Sequence, residues 1–288
     1  MKPKITPVNE VVTDIEYQCK ATDKSTMYHL SDVHLDSPFC DRKLLTQHLK
    51  LAEETKSPVL IAGDIFDSMQ THDDPRRRPE ELKEEYRVSH YLDAIVLDAA
   101  KFFLQFKVQY IMGIGNHESV ILRKMNTGLI DRLVHDINTQ GGEAVGMGYG
   151  GYLRLFFRYQ NGKAGYQKTI YFHHGRSSSA EVTRGVIQSN RQAVYLYDVD
   201  LVQNGHLHEA WILPVARARL SKSGEPYNDL LWFMMTPGYK TSGMETKETF
   251  GYGQERHPAP KPKGCVKVEY IFSKNEGITP NPIPMFVG

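Results

Sequence analysis

Cysteine is scarce in this sequence, long apolar runs are missing, and net charge is almost absent. Cys19, Cys40 and Cys265 are odd in number and far apart. That pattern gives no disulfide framework and no CxxC zinc motif, so a reducing, cytosol-like compartment is expected. No stretch approaches the ~18 consecutive apolar residues of a membrane span. The opening MKPKITPVNEVVTDIEY has a basic start but lacks the apolar centre of a secretory signal. A soluble, cytoplasmic chain with no membrane partner is the expectation. Lys plus Arg number 35 against 34 for Asp plus Glu, a formal charge of +1. Such a balance supplies no global field to draw in nucleic acid, although a local patch is still allowed. Repeats and low-complexity tracts are lacking too.

What remains is a patterned globular chain of 288 residues, near the upper limit for one hydrophobic core. The polar, turn-rich stretch before Ala21 reads as an arm or an edge strand. Residues 26–32 read as a buried strand and 44–55 as a helix. The apolar run 59–62, between Pro58 and Gly63, has the profile of a central parallel strand. Over 80–106 apolar residues return at helical spacing (Leu82, Tyr86, Tyr91, Ile95, Leu104), behind Pro79 at a helix start. Residues 108–112 supply the next strand. Strands alternating with helices imply a mostly parallel sheet covered on both faces.

The second half is richer in antiparallel pairs. Strands at 152–159 and 168–172 flank Asn161-Gly162, a strong hairpin signal, and strands at 211–220 and 229–236 flank Ser223-Gly224. A short strand is expected at 201–203 and a late one at 265–272. Glycine and proline crowd 238–263, where a long surface loop is expected.

Five polar clusters each fall where an expected strand ends: Asp32-Val33-His34, Gly63-Asp64-Ile65-Phe66-Asp67, Gly115-Asn116-His117-Glu118, His173-His174-Gly175 and Gly205-His206-Leu207-His208. In open α/β sheets, ligands collect beyond the carboxyl ends of the strands. Carboxylate, imidazole and amide oxygen without thiolate suit divalent transition metals rather than a structural zinc cage. An Asp-x-His on extended backbone turns both side chains to one side, and the same holds for His206 and His208.

In this order the clusters resemble the D-x-H, G-D-x-x-D, G-N-H-D/E, H-G and G-H-x-H blocks of the calcineurin-like metallophosphoesterases. The resemblance implies an α/β fold, a four-layer sandwich of two mixed β-sheets flanked by helices. It also implies two divalent cations: manganese first, with iron, zinc, nickel or magnesium as alternatives. Asp32, His34, Asp64 and His208 would hold one cation. Asn116, His174 and His206 would hold the other, with Asp64 as the bridge. One of His173 and His174 is the ligand; the place before Gly175 favours His174, and the sequence leaves the choice open. His117 would stabilise or protonate the leaving oxygen, with Glu118 orienting it.

The implied reaction is hydrolysis of a phosphate ester by a hydroxide bridging the cations. SDVHLDSP and LIAGDIFD resemble the repair-nuclease branch, which favours a phosphodiester of a nucleotide or nucleic acid. A phosphomonoesterase is the alternative, and a binding scaffold without turnover is the alternative of another class. The chain is expected to form a single domain over 1–288: metal-binding blocks within 30–210, an insertion at about 69–90, then C-terminal strands and loop over 211–288. Arg176, beside an expected ligand, is a candidate contact for substrate phosphate. Arg76-Arg77-Arg78 could grip phosphates too, but the neighbouring Asp73, Asp74, Glu80 and Glu81 suit a solvated turn better. Oligomeric state is not legible.

Overall fold

Two mixed sheets lie face to face in the computed structural model, which describes residues 2–19, 24–68, 82–159, 165–176, 182–221, 223–241, 260–273 and 277–287. The chain opens with β1 (Lys4–Asn9), β2 (Val12–Cys19) and β3 (Lys24–Leu30). Then come α1 (Arg42–Glu54), β4 (Val59–Ile61), α2 (Tyr91–Phe103), β5 (Gln109–Met112), α3 (Asn116–Met125), α4 (Leu129–Thr139) and β6 (Glu143–Gly146). The second half runs β7 (Gly150–Tyr159), β8 (Tyr166–His173), α5 (Val186–Tyr195), β9 (Leu201–Asn204), β10 (Trp211–Leu220), β11 (Pro226–Met235), β12 (Lys263–Ser273) and β13 (Gly277–Val287). The six-stranded sheet has the order β13-β12-β3-β4-β5-β6, and the seven-stranded sheet β1-β2-β7-β8-β9-β11-β10.

Alternation along the strands decides the layers. Met27, Leu60 and Ile111 of the six-stranded sheet meet Leu155, Phe157 and Phe172 of the other in an apolar seam. The neighbours Tyr28, Ile61 and Tyr110 turn the other way, onto Leu45 and Leu49 of α1, Val96 and Phe103 of α2 and Leu133 of α4. Central strands are thus apolar on both faces, which is why they read as continuous apolar runs. On the far side of the seven-stranded sheet, Val202, Leu231 and Phe233 pack with Leu196, just beyond α5. Burying each such side chain contributes about 1.5–3 kcal/mol. The result is the implied sandwich of two mixed sheets between helices. Among the described residues no helix is long and apolar enough to cross a membrane.

Three stretches differ from the sequence reading. The helix expected from 80 begins at Tyr91, behind a short 3-10 turn at Glu84–Tyr86. The i, i+4 pair Leu82 and Tyr86 mimics helical spacing, but Tyr86 is buried through its hydroxyl, which donates to Asp98 at 2.6 Å. The rest of the expected insertion, with Arg76, Arg77 and Arg78, lies outside the described residues. The second difference is at the start of the expected 238–263 surface loop, where Tyr239 is fully buried with its hydroxyl 2.8 Å from His48 Nδ1. Residues 242–259 lie outside the described set, as does the Asn161-Gly162 turn. Third, β6 and β13 were not anticipated. In β13, Pro280, Pro282 and Pro284 argue against a strand until it is seen at a sheet edge, where same-parity prolines can leave their missing N–H groups on the open side.

Candidate metal centre

The clusters meet at one end of the seam. Asp32 and His34 follow β3, Asp64 follows β4, Asn116 opens α3 shortly after β5, His174 follows β8, and His206 and His208 follow β9. Five of these residues have left-handed backbone: Asp32 (φ 51°), His34 (48°), Asp64 (50°), His206 (73°) and His208 (53°). For L-residues that conformation costs roughly 1–2 kcal/mol each. It persists here because the loops stay laddered beyond their strands: Asp32 N donates to Gly63 O at 3.0 Å and His34 N to Asp64 O at 3.0 Å. Strain held this firmly at polar residues is a mark of a functional site. Gly115 makes room for the arrangement, since a Cβ there would lie 2.0 Å from Asp64 Oδ1.

Three overlapping trios have candidate ligand atoms within 4.8 Å of one another: Asp32, His34 and His208; His34, Asp64 and His117; Asp64, His174 and His206. His208 Nε2 is 3.5 Å from Asp32 Oδ1 and 3.4 Å from His34 Nε2. On the other side, His174 Nε2 is 3.2 Å from Asp64 Oδ2 and 3.0 Å from Asn116 Oδ1. His206 Nδ1 is 2.7 Å from the same amide oxygen. Backbone donors hold both carboxylates: His206 N reaches Asp32 Oδ2 at 2.9 Å, and His117 N reaches Asp64 Oδ1 at 3.0 Å. The donor set fits divalent cations. Two imidazole nitrogens facing one another, and an amide oxygen between two more, are poor company for each other and good company for a cation. His174 Nδ1 donates to Ala62 O at 2.8 Å, which leaves Nε2 free to ligate.

Charge is shared unevenly in this pocket. Burial works against the Asp64 carboxylate, but His174 and His117 outweigh it and hold the group below the usual carboxylate range. Burial alone would strip His174 of its proton; the Asp64 carboxylate beside it wins and raises the imidazole to about 9. Burial lowers His208 to about 4 and also lowers His117 and His206.

Among the residues singled out in the sequence, all seven expected ligands and His117 come together. His117 Nε2 lies 3.8 Å from Asp64 Oδ2, and its Nδ1 donates to the Asp67 carbonyl. Of the adjacent histidines, His174 joins the trio with Asp64 and His206, whereas His173 turns to the outer face of the seven-stranded sheet, where its Nδ1 accepts from Gly175 N at 2.9 Å. Glu118 corrects an expectation. Its carboxylate does not orient the His117 ring: Oε2 accepts from Asp64 N (3.1 Å) and Gly115 N (2.8 Å), and Oε1 from Phe66 N (2.9 Å). As the third residue of α3 it reaches back to the helix start, the geometry of a capping box. Arg176 is exposed and stands outside the ligand trios; burial first, then His174 and Arg176, disfavour protonation of His173.

Sequence reasoning missed Lys240, whose ammonium lies 3.1 Å from both oxygens of Asp67. Asp67 Oδ1 is also 3.1 Å from His34 Nδ1. Lys240 and His34 outweigh burial to keep Asp67 charged, a carboxylate beside the His34 ring. Asp36 was missed as well: it accepts from Asp67 N, Ser68 N and the Tyr91 hydroxyl and braces the loop after β4. A cue for Asp36 was its place two residues after His34; for Lys240 the sequence held no cue.

The sequence profile of a family described as calcineurin-like phosphoesterase matches residues 25–210. No match to the chain is found among the curated proteins. Of solved structures, a predicted phosphoesterase from Streptococcus pneumoniae is similar at 11% identity, covering 91% of this chain and 98% of its own, with a TM-score of 0.30. Vps29 from Chaetomium thermophilum is 11% identical, covering 91% and 95%, with a TM-score of 0.34. A metallophosphoesterase from Sphaerobacter thermophilus is 9% identical, covering 90% and 88%, with a TM-score of 0.34.

Proposed function

The chain belongs to the calcineurin-like phosphoesterases, and on that footing we propose that it hydrolyses phosphodiesters of nucleotides or nucleic acids at a centre of two divalent cations. Asp32, His34 and His208 would hold one, Asn116, His174 and His206 the other, with Asp64 shared. The observation that carries this reading is the convergence of those side chains from both sheets, five of them on left-handed backbone. Bound there, two cations supply Lewis-acid polarisation of a phosphoryl oxygen and make nearby water more acidic; manganese is the cation we assign.

The chain's own residues do the rest. Asp67 holds the His117 ring through its carbonyl and sets its carboxylate 3.1 Å from His34 Nδ1, and both Nε2 atoms face the Asp64 side. From that position His117, in its imidazolium form, would give its Nε2 proton to the departing alkoxide and keep the Nδ1 proton on the Asp67 carbonyl. Arg176, exposed at the rim, is assigned to the substrate's free phosphate oxygens. The likeness of SDVHLDSP and LIAGDIFD to nuclease blocks supports the diester over the monoester.

Manganese-loaded protein should cleave bis-p-nitrophenyl phosphate in preference to p-nitrophenyl phosphate. Asp64→Ala should lose both cations and activity, whereas His117→Ala should keep the cations and lose about 10²–10⁴-fold in kcat. A strong monoester preference would replace the diester reading with a phosphomonoesterase. Less than one cation per chain after loading, with no turnover, would support a binding scaffold instead.

A further inference from the structure

Beside the cation ligands, the outward face of the seven-stranded sheet carries a row of rings that metal binding does not explain. Tyr152 of β7 and Tyr171 of β8 are cross-strand partners with ring centroids 5.0 Å apart. One outward-facing pair nearer the centre, His173 stands opposite Gly150. With no side chain there, the imidazole lies over the glycine; a Cβ on Gly150 would come within 2.9 Å of His173 Cδ2. The His173 ring is near-parallel to Tyr171 (25°, 6.3 Å) and edge-on to Tyr149 (67°, 5.2 Å). Tyr149 in turn lies 5.3 Å from the ring of His174. The row therefore runs from open sheet surface to a metal ligand.

These rings keep an open side, although Tyr171 also packs against the apolar cluster of Leu196 and Val202. The inward neighbours Gly151, Leu153, Ile170 and Phe172 are buried, while Tyr149, Tyr171 and His173 keep part of their surface in solvent and Tyr152 is 36% exposed. The tautomer of His173 is set by its neighbours. Nδ1 accepts from Gly175 N, so the ring proton sits on Nε2, which has no partner among the described residues. Tyr149 holds the same turn by donating to Gly175 O at 2.8 Å. A flat face with a free donor at its edge, followed by the exposed Arg176, suits a flat ring that carries acceptors and is tethered to a phosphate.

We propose that Tyr149, His173, Tyr171 and Tyr152 form a subsite for a nucleobase, joined through its sugar to the phosphate that reaches the cation centre. The assignment rests on the phosphoesterase reading above and narrows its substrate to a nucleotidyl ester. Every base has a π-face, so the row selects for a base without selecting strongly among bases.

Titration calorimetry of manganese-loaded protein with adenosine 5′-monophosphate and ribose 5-phosphate tests it. The monophosphate carrying the base should bind about tenfold more tightly or better, the size of one base–aromatic stack. His173→Asn removes the ring but can still accept from Gly175 N, and should bring the two affinities together with manganese content unchanged. Equal affinities in the native protein overturn the subsite alone. So does a preference that survives in both His173→Asn and Tyr152→Ala. If manganese binds and neither phosphate does, the subsite and the phosphoesterase reading fall together. A thymidylate tetramer that binds more tightly than the monophosphate puts the base in single-stranded nucleic acid, and the reverse order puts it in a free nucleotide; both results keep the subsite.

Discussion

Glu118 sits beside the cluster without serving as a cation ligand. Its oxygens are taken by the backbone of Asp64, Phe66 and Gly115, and burial, with the Asp64 charge next, pushes its carboxyl up to about 7. A group so placed holds the loop after β4 against the start of α3, and through that contact sets where Asp64 points. Glu118→Gln leaves one carbonyl oxygen for three donors and turns an amide N–H₂ toward another donor. The expected cost is about 1–3 kcal/mol, seen as a lower urea midpoint, with weaker manganese binding and an unchanged pH dependence of kcat. Were Glu118 instead the support of His117, the substitution would move that pH dependence and spare stability. Asp67 is the residue that holds the His117 ring, and Lys240 keeps Asp67 charged.

Strands and their ends carry both the fold and the site. On β3, His29 faces the seam between the sheets, fully buried, with Nδ1 2.8 Å from Gln203 Oε1 of β9. Gln203 Nε2 donates to Leu30 O, so Oε1 is the acceptor and His29 Nδ1 carries a proton, with Nε2 unpartnered among the described residues. Burial lowers it from 6.5 to about 4. The unfolded chain therefore takes up a proton first as pH falls. The stability from a neutral His29 is complete above about 6.5 and is lost as pH drops towards 4, about 3 kcal/mol in all. Urea unfolding at pH 7.5 and pH 5 should show about 2 kcal/mol of that loss, and His29→Leu should flatten the slope by a similar amount; an unchanged slope would contradict it. Elements of this kind were legible because alternation and Gly-containing turns are local signals. The start of α2 was not, since Leu82 and Tyr86 keep helical spacing while docking through a 3-10 turn. Nor was β13, whose prolines are tolerable only because β12 leaves it at an edge.

Over the whole molecule, the centre straddles the two sheets: Asp32, His34, Asp64 and Asn116 arrive from the six-stranded sheet, His174, His206 and His208 from the seven-stranded one. The placement of the five polar clusters was readable because each follows a strand that announces itself by apolar pattern, while the division of ligands between two cations came from the family resemblance. The residues around it were not, because Lys240 meets Asp67, and Glu118 the loop after β4, only once distant segments have packed. The same packing puts Asp64 in two of the trios, a carboxylate within reach of His117 on one side and His174 on the other. Anomalous diffraction from manganese-soaked crystals tests that arrangement most directly. Two peaks about 3.5–4 Å apart should flank Asp64, one against Asp32, His34 and His208 and the other against Asn116, His174 and His206. A map without density in that cluster, or with a single peak away from Asp64, would contradict the account.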